Sequence, residues 1–130
     1  MRATLGKEER LYLRKRIDFL FASGQAHVSY PVRCVICLSN PADTGPQEAP
    51  LQVLFAASKK KFPRAVDRNR KKRLLREAYR LEKSHLYSLA EKKCFVALQY
   101  IGANDESLEN LRKAVRLAVE KGLALAYAVS

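Results

Sequence analysis

Apolar residues recur along this chain in two rhythms, one helical and one extended. Between Glu8 and Ser23, Leu11, Leu13, Ile17, Leu20 and Phe21 are spaced among Arg and Lys, and Gly24 follows as a stop, which predicts an amphipathic helix. From Val28 to Leu38 the β-branched and apolar residues Val28, Tyr30, Val32, Val35 and Ile36 crowd together. Pro31 interrupts them, so the segment predicts one strand or two short ones meeting at the proline. Ser39 to Pro50, with Pro41, Gly45, Pro46 and Pro50, predicts a surface loop before a second extended run, Leu51 to Ala57. The composition then turns to Ser58-Lys59-Lys60-Lys61, and Pro63 ends any ladder. A helix is expected from about Ala65 to His85, with Leu74, Leu75, Ala78 and Leu81 as its apolar stripe. Cys94 to Ile101, apolar on both faces, predicts a buried central strand. Asn104 or Asp105 is the expected cap of a last helix carrying Leu108, Leu111, Val115, Ala118 and Val119 on one face. Gly122 is expected to fray or end it, which leaves the apolar tail Leu123 to Val129 unplaced.

This order predicts a small α/β (α+β) two-layer sandwich, three helices against a mixed sheet, with a βαβ unit around the basic helix. At 130 residues and 48% apolar content the chain reads as a single domain over residues 1–130, with enough material for a real core. The longest stretches free of charged residues, Ala22 to Val32 and Cys94 to Asn104, are far shorter than the roughly 18 residues of a membrane span. No continuous apolar run follows Met1, so no secretory signal is read. Three cysteines, an odd number, fit a reducing compartment, and a cytoplasmic location is expected.

Charge changes the picture most. The chain carries 25 Lys+Arg against 13 Asp+Glu, a net charge of +12. Nine of those charges are concentrated between Lys59 and Arg80, where eleven basic residues meet only Asp67 and Glu77. Like charges three and four residues apart destabilise an isolated helix, so an anionic partner is expected to offset the repulsion. Arg68, Lys72, Arg76 and Arg80 recur every four residues and project along one flank, with Arg73 beside them. At about 1.5 Å of rise per residue they form a ridge about 18 Å long, able to touch several phosphates. Arginine dominates it, and the guanidinium fork suits phosphate oxygens. Nucleic acid is the ligand that this pattern fits.

The same residues carry a resemblance. Ser58-Lys59-Lys60, six residues, then Asp67-Arg68-Asn69-Arg70-Lys71-Lys72-Arg73-Leu74-Leu75-Arg76-Glu77-Ala78-Tyr79-Arg80 resembles the signature of the protein component of bacterial ribonuclease P. Leu13 to Gly24 is similar to the first helix of that family, and the element order agrees. The resemblance implies a four-stranded mixed sheet of the ribosomal protein S5 domain 2-like kind, with a left-handed βαβ crossover that ordinary handedness rules would not predict. It implies that the RNA subunit cleaves precursor tRNA endonucleolytically at the mature 5′ end with Mg2+. The protein would bind that RNA and the single-stranded 5′ leader, without a catalytic side chain, a metal or a cofactor of its own.

Carried over by position, Lys59, Lys60, Arg64, Arg68, Asn69, Arg70, Lys72, Arg73, Arg76 and Arg80 become expected RNA contacts. Asn69 could instead hydrogen-bond within the first helical turn, and Glu77 is expected to orient a neighbouring arginine. The leader cleft implied by the family lies between the sheet and the first helix. Ile17, Phe21, Tyr30 and Phe55 are the expected contacts there, and core packing is the alternative for the three aromatics. Ile17 stands where many members have phenylalanine, and Lys61-Phe62-Pro63 replaces a frequent glycine after the lysine pair.

Other readings are weaker. Cys34 and Cys37 have metal-knuckle spacing but lie in a β-like run where positions three apart face opposite ways, and Cys94 supplies no second pair. His27 and His85 are isolated and are expected at the surface or at helix ends. A DNA-binding zipper would need leucines every seven residues, and Leu74 and Leu81 are followed by Ser88. Neither DNA nor a membrane is an expected partner. The alternative function is a ribosomal or general RNA-binding protein of related fold with no role in cleavage.

Overall fold

The computed structural model describes residues 5–40, 42, 45, 47 and 49–128. A short 3-10 turn, Lys7–Glu9, precedes helix α1 (Arg14–Ser23). Strands β1 (Gln25–Ser29), β2 (Val32–Leu38) and β3 (Leu51–Ala57) follow, then helix α2 (Ala65–Leu89), strand β4 (Cys94–Tyr100) and helix α3 (Leu108–Ala128). The sheet order is β1-β2-β4-β3. β1 with β2 and β2 with β4 are antiparallel, and β3 lies parallel to β4, so β3-α2-β4 is the expected crossover unit.

Alternation along the strands divides the core. Val32, Cys34, Ile36, Leu51, Val53, Val96, Leu98 and Tyr100 face α2 and α3, meeting Leu75, Ala78, Tyr79, Leu86, Leu111, Val115, Ala118 and Val119. On the opposite face Val35, Cys37, Leu54, Phe95 and Ala97 meet α1 through Ile17, Phe19 and Leu20. Helices α2 and α3 thus make one layer and the sheet the second. α1 covers only part of the far side. Among the described residues no helix is long and apolar enough to cross a membrane.

Several boundaries differ from the sequence expectation for physical reasons. The first helix begins at Arg14, not Glu8, because residues 10 and 11 are drawn to the open edge of β3. Arg10 bridges Val53 there, and Leu11 N donates to Val53 O at 3.1 Å, satisfying an edge carbonyl. The run around Pro31 resolves into two strands turning at Tyr30–Pro31, and the first of them starts at Gln25. α2 continues to Leu89, past His85, since Leu86 is buried and Tyr87 packs on the core. Ser107, rather than Asn104 or Asp105, caps α3: its Oγ accepts from Asn110 N at 3.1 Å. His27 is half-buried, its Nε2 2.7 Å from Ala118 O of α3, so it is not a surface residue; His85 is exposed and 2.7 Å from Glu120. Cys34 and Cys37 face opposite sides of the sheet, and burial pushes their thiols up to about 12 and about 11.

The last helix runs through Gly122 without ending, and this places the tail up to Ala128 in the helix. Glycine is needed there for space. A Cβ at position 122 would stand 2.9 Å from Ile36 Cγ2, 3.2 Å from His27 Cε1 and 3.4 Å from Cys34 Sγ. Replacing Gly122 by Ala should gain about 1 kcal/mol of helix propensity and lose about 1–3 kcal/mol to overpacking. The loss should win, because Ile36 is β-branched on an inner strand and His27 is held by α3. Urea unfolding of Gly122→Ala should show a lower midpoint, and Gly122→Val a much lower one; a stabilised Ala variant would contradict this packing.

Candidate nucleic-acid interface

The sign of charge on α2 is sorted by depth. On its inner side the stripe Leu75, Ala78, Tyr79 and Leu86 is fully buried. Two of its lysines are buried as well. Lys71 lies over the rings of Tyr100 and Phe62, 4.8 and 5.5 Å from their centroids, and pairs with Asp105; burial lowers its pKa. Lys83 is paired with Glu9 at 2.9 Å. The buried Glu82 takes Arg112 of α3 at 2.7 Å. These ion pairs are internal, so the helix's excess charge is left to its outer flank.

On that flank the expected contacts separate. Lys72, Arg73 and Arg76 make no ion pair among the described residues, and Arg73 and Arg76 are exposed. Arg76 stacks on Phe55, its guanidinium carbon 5.7 Å from the ring centroid. Asn69 is exposed and makes no side-chain hydrogen bond within the first turn. Arg64 is held by Asp67 at 3.0 Å, Arg70 lies 3.7 Å from Asp105, and Arg80 Nε donates to Glu77 Oε2 at 3.0 Å. Glu77 therefore orients an arginine, as expected, and this hydrogen bond lowers its pKa. Arg68 turns back: its Nη1 donates to Phe62 O and Pro63 O at 2.9 and 2.8 Å, buttressing the loop before the helix.

That loop needs no glycine. Ser58 O accepts from Phe62 N at 2.8 Å, Lys61 Nζ reaches Ile101 O at 2.6 Å, and Phe62 packs edge-on against Tyr100. Lys59 and Lys60 are left exposed at the turn.

The aromatic candidates do not converge as a set. Phe21 and Tyr30 are 53% and 63% exposed, which rules out core packing for both. Ile17 is half-buried beside Leu20 on the α1 side. Beyond the end of α1 the same sheet face is open, with exposed Val28, and Arg33 donating to Gln99 at 3.5 Å. Phe55 is a correction. Strand alternation turns it to the α2 side, where it packs at 5.8 Å against Tyr79, so it cannot line a cleft with α1.

Sequence reasoning missed Arg10 and Tyr12. With Leu11 turned into the core, both line a groove of about 180 Å³ between the β3 edge and α2, with Phe55, Lys72 and Arg76 opposite. The available signal was the polar-apolar-aromatic alternation Arg10-Leu11-Tyr12, which has the period of a strand. The segment is fixed from both sheet faces. On the α1 side, Arg16 donates to Gln52 Oε1 at 2.8 Å and Gln52 Nε2 to Glu8 O at 2.9 Å. On the α2 side, Glu9 accepts from Tyr87 Oη at 2.6 Å and from Lys83. Burial works to raise the Glu9 pKa, and the hydrogen bonds from Tyr87, Lys83 and Gly6 N outweigh it, leaving it below its ordinary value.

The fold matches that of a ribonuclease P protein from Thermotoga maritima, TM-score 0.66 at 17% identity, covering 87% of this chain and 96% of that one. A one-sided cationic helix flank beside an open, aromatic-edged sheet face defines an RNA-binding α+β domain. The sequence profile of the family described as Ribonuclease P matches residues 5–122. The ribonuclease P protein component of Porphyromonas gingivalis is 42% identical over 121 residues, 92% of this chain and 83% of that protein. That of Chlorobium phaeobacteroides is 36% identical over 86% of this chain and 83% of its own length. The chain belongs to the ribonuclease P protein family, whose holoenzyme is an endoribonuclease.

Glu9 offers a test of how the Arg10 segment is held. Glu9→Gln should remove the carboxylate from its buried pair with Lys83 and cost about 3–5 kcal/mol, the usual result of removing one partner of a buried pair. Because the Glu9 pKa is lowered in the fold, its stabilisation is complete above the unfolded carboxyl value of 4.5 and is lost as pH falls through the lower folded value. Wild-type urea stability should therefore drop below pH 4.5 more steeply than that of Glu9→Gln; parallel profiles would contradict the pairing.

Proposed function

We infer that this chain docks on the RNA subunit of ribonuclease P through the outer flank of α2 and guides the 5′ leader of precursor tRNA across the open sheet face beside α1. Removal of the leader to give the mature tRNA 5′ end is the work of the RNA. This chain contributes positioning. The observation that carries the reading is the set Lys72, Arg73 and Arg76, left without a carboxylate partner among the described residues while neighbouring charges are paired internally. Cations left without a carboxylate partner suit an RNA backbone.

The donors of this interface are ammonium and guanidinium groups, which repel a divalent cation, so Mg2+ is assigned to the ribonucleoprotein's RNA. Lys59, Lys60, Arg64, Asn69, Arg70 and Arg80 extend the docking surface along α2 and its preceding turn. Arg68 belongs to it through the loop that it supports. Phe21, Tyr30 and Ile17 form the leader side, with the open strand positions between them. The three free buried thiols suit a reducing cytoplasm.

Arg73→Ala and Arg76→Ala should each weaken binding to the RNA subunit and lower the salt slope by about one unit per lost phosphate contact. Unchanged slopes in both would refute docking through α2. Phe21→Ala should reduce affinity for precursor tRNA by about 1–3 kcal/mol, the value of one stacked base, and leave mature tRNA binding unchanged. At 53% exposure Phe21 contributes little to the core, so the variant should keep its melting temperature. Equal losses for both tRNAs would remove Phe21 from the leader site.

A further inference from the structure

The groove between the β3 edge and α2 has a composition that phosphate binding alone does not require. It is walled by Arg10, Tyr12, Lys72 and Arg76, with Phe55 and Leu54 from β3. No carboxylate lines it among the described residues. Tyr12 is 55% exposed although the residues just before it are fixed, Leu11 by its backbone and its buried side chain and Glu9 by Lys83 and Tyr87. An exposed ring on an immobilised backbone is ready to stack, because little conformational freedom remains to be lost on binding. Opposite it, the Arg76 guanidinium already lies over the Phe55 ring, which gives the far wall a flat, cationic surface. The groove continues into a second depression lined by Leu5, Arg73, Arg80 and Glu77, whose carboxylate is held by Arg80, with Arg10 and Arg76 shared between the two.

We propose that this groove holds one unpaired nucleobase of the docked RNA, stacked on Tyr12, with the adjoining phosphates taken by Arg10, Arg76 and Arg73. The inference rests on α2 being the docking face, and it adds a contact to the base where the flank itself supplies contacts only to the backbone. A duplex cannot enter a space of about 180 Å³, whereas a single base turned out of its strand presents the flat π-surface that Tyr12 matches. The site lies at the sheet edge, where Tyr12 also borders a depression with Arg16 and Gln52 on the α1 side, and Lys72 and Arg76 open the groove to the α2 flank. Through those two cations we assign it to the RNA that docks on α2 and not to the leader.

The test compares Tyr12→Ala, Tyr12→Leu and Tyr12→Phe with Arg73→Ala. The probe is the full-length ribonuclease P RNA of the same organism, read by equilibrium binding over a salt series and by base modification with dimethyl sulfate and carbodiimide. Tyr12→Ala and Tyr12→Leu should each lower affinity about 5- to 150-fold, as loss of one stacked base does, with the salt slope unchanged. Tyr12→Phe should bind as wild type. One unpaired nucleotide protected by the wild type and by Tyr12→Phe should become reactive with the Ala and Leu variants. The Leu variant keeps apolar bulk at position 12, so a loss confined to the Ala variant would mean packing and would overturn the proposal. Full affinity and full protection in all three Tyr12 variants, with Arg73→Ala still weakened, would overturn it while leaving docking through α2 intact. No effect of Arg73→Ala either would overturn both.

Discussion

Helix α2 is a rod about 37 Å long by its 25 residues, and it stays helical only because the sheet holds its inner side. Arg68, Lys72, Arg76 and Arg80 repeat at four-residue spacing, and each like-charged pair of that kind costs an isolated helix about 0.2–0.5 kcal/mol. Against this, Leu75, Tyr79 and Leu86 are fully buried, each worth about 1.5–3 kcal/mol. Burial exceeds the repulsion severalfold. The consequence is a flank of cations kept in fixed relative positions, of which Lys72, Arg73 and Arg76 meet no anion among the described residues. A flexible segment of the same composition would relax by moving its charges apart, and it would have to give up that freedom on meeting RNA.

The fold does not leave every charge in that state. Lys71 and Lys83 are drawn inward onto aromatic rings and carboxylates, and Arg68 is spent on two carbonyls of the Phe62-Pro63 turn. Arg64 and Arg80 are steadied by Asp67 and Glu77 one turn away. Both of these pairs are at the surface and are worth little in stability, but each restricts a guanidinium to one orientation. What remains open is the middle of the flank, around Lys72, Arg73 and Arg76. The excess charge visible in the sequence is thus larger than the charge the surface offers, and its centre is narrower than the run from Lys59 to Arg80 suggests.

The sequence made the architecture legible wherever one periodicity ruled a segment. Of the stripe expected on α2, Leu75 and Ala78 are buried while Leu74 and Leu81 are half-buried and Tyr79 and Leu86 join the core; the run Cys94 to Tyr100 and the turn at Pro31 fall where alternation puts them. It misled where a tertiary contact overrode the local rule. Leu11 fits the helical pattern with Ile17, yet an unsatisfied strand edge claims it. Gly122 reads as a helix stop, yet it is a close approach of α3 to β1 and β2. Phe55 is separated from the leader side by the parity of a single residue along β3, which cannot be read before the register is known. The identity of the candidate cations was legible, and their division into buried, paired and open was not, because partners such as Asp105, Glu9 and Phe62 lie apart from them in the chain.

The N-terminal segment is where these threads meet. It crosses the edge of the sheet, tied through Gln52 to Arg16 and α1 on one face and through Lys83 and Tyr87 to α2 on the other. The two proposed RNA surfaces lie on opposite faces, and a four-stranded sheet between them would otherwise be their only mechanical link. Because β3 is an edge strand, its free backbone groups recruit Arg10 and Leu11 as a partial fifth strand. That pairing covers part of the edge and at the same time places Arg10 and Tyr12 beside the α2 flank. The edge of a small sheet, commonly a liability to be masked, here becomes the wall of a binding groove, and the buried Glu9 carboxylate is what holds that wall in place.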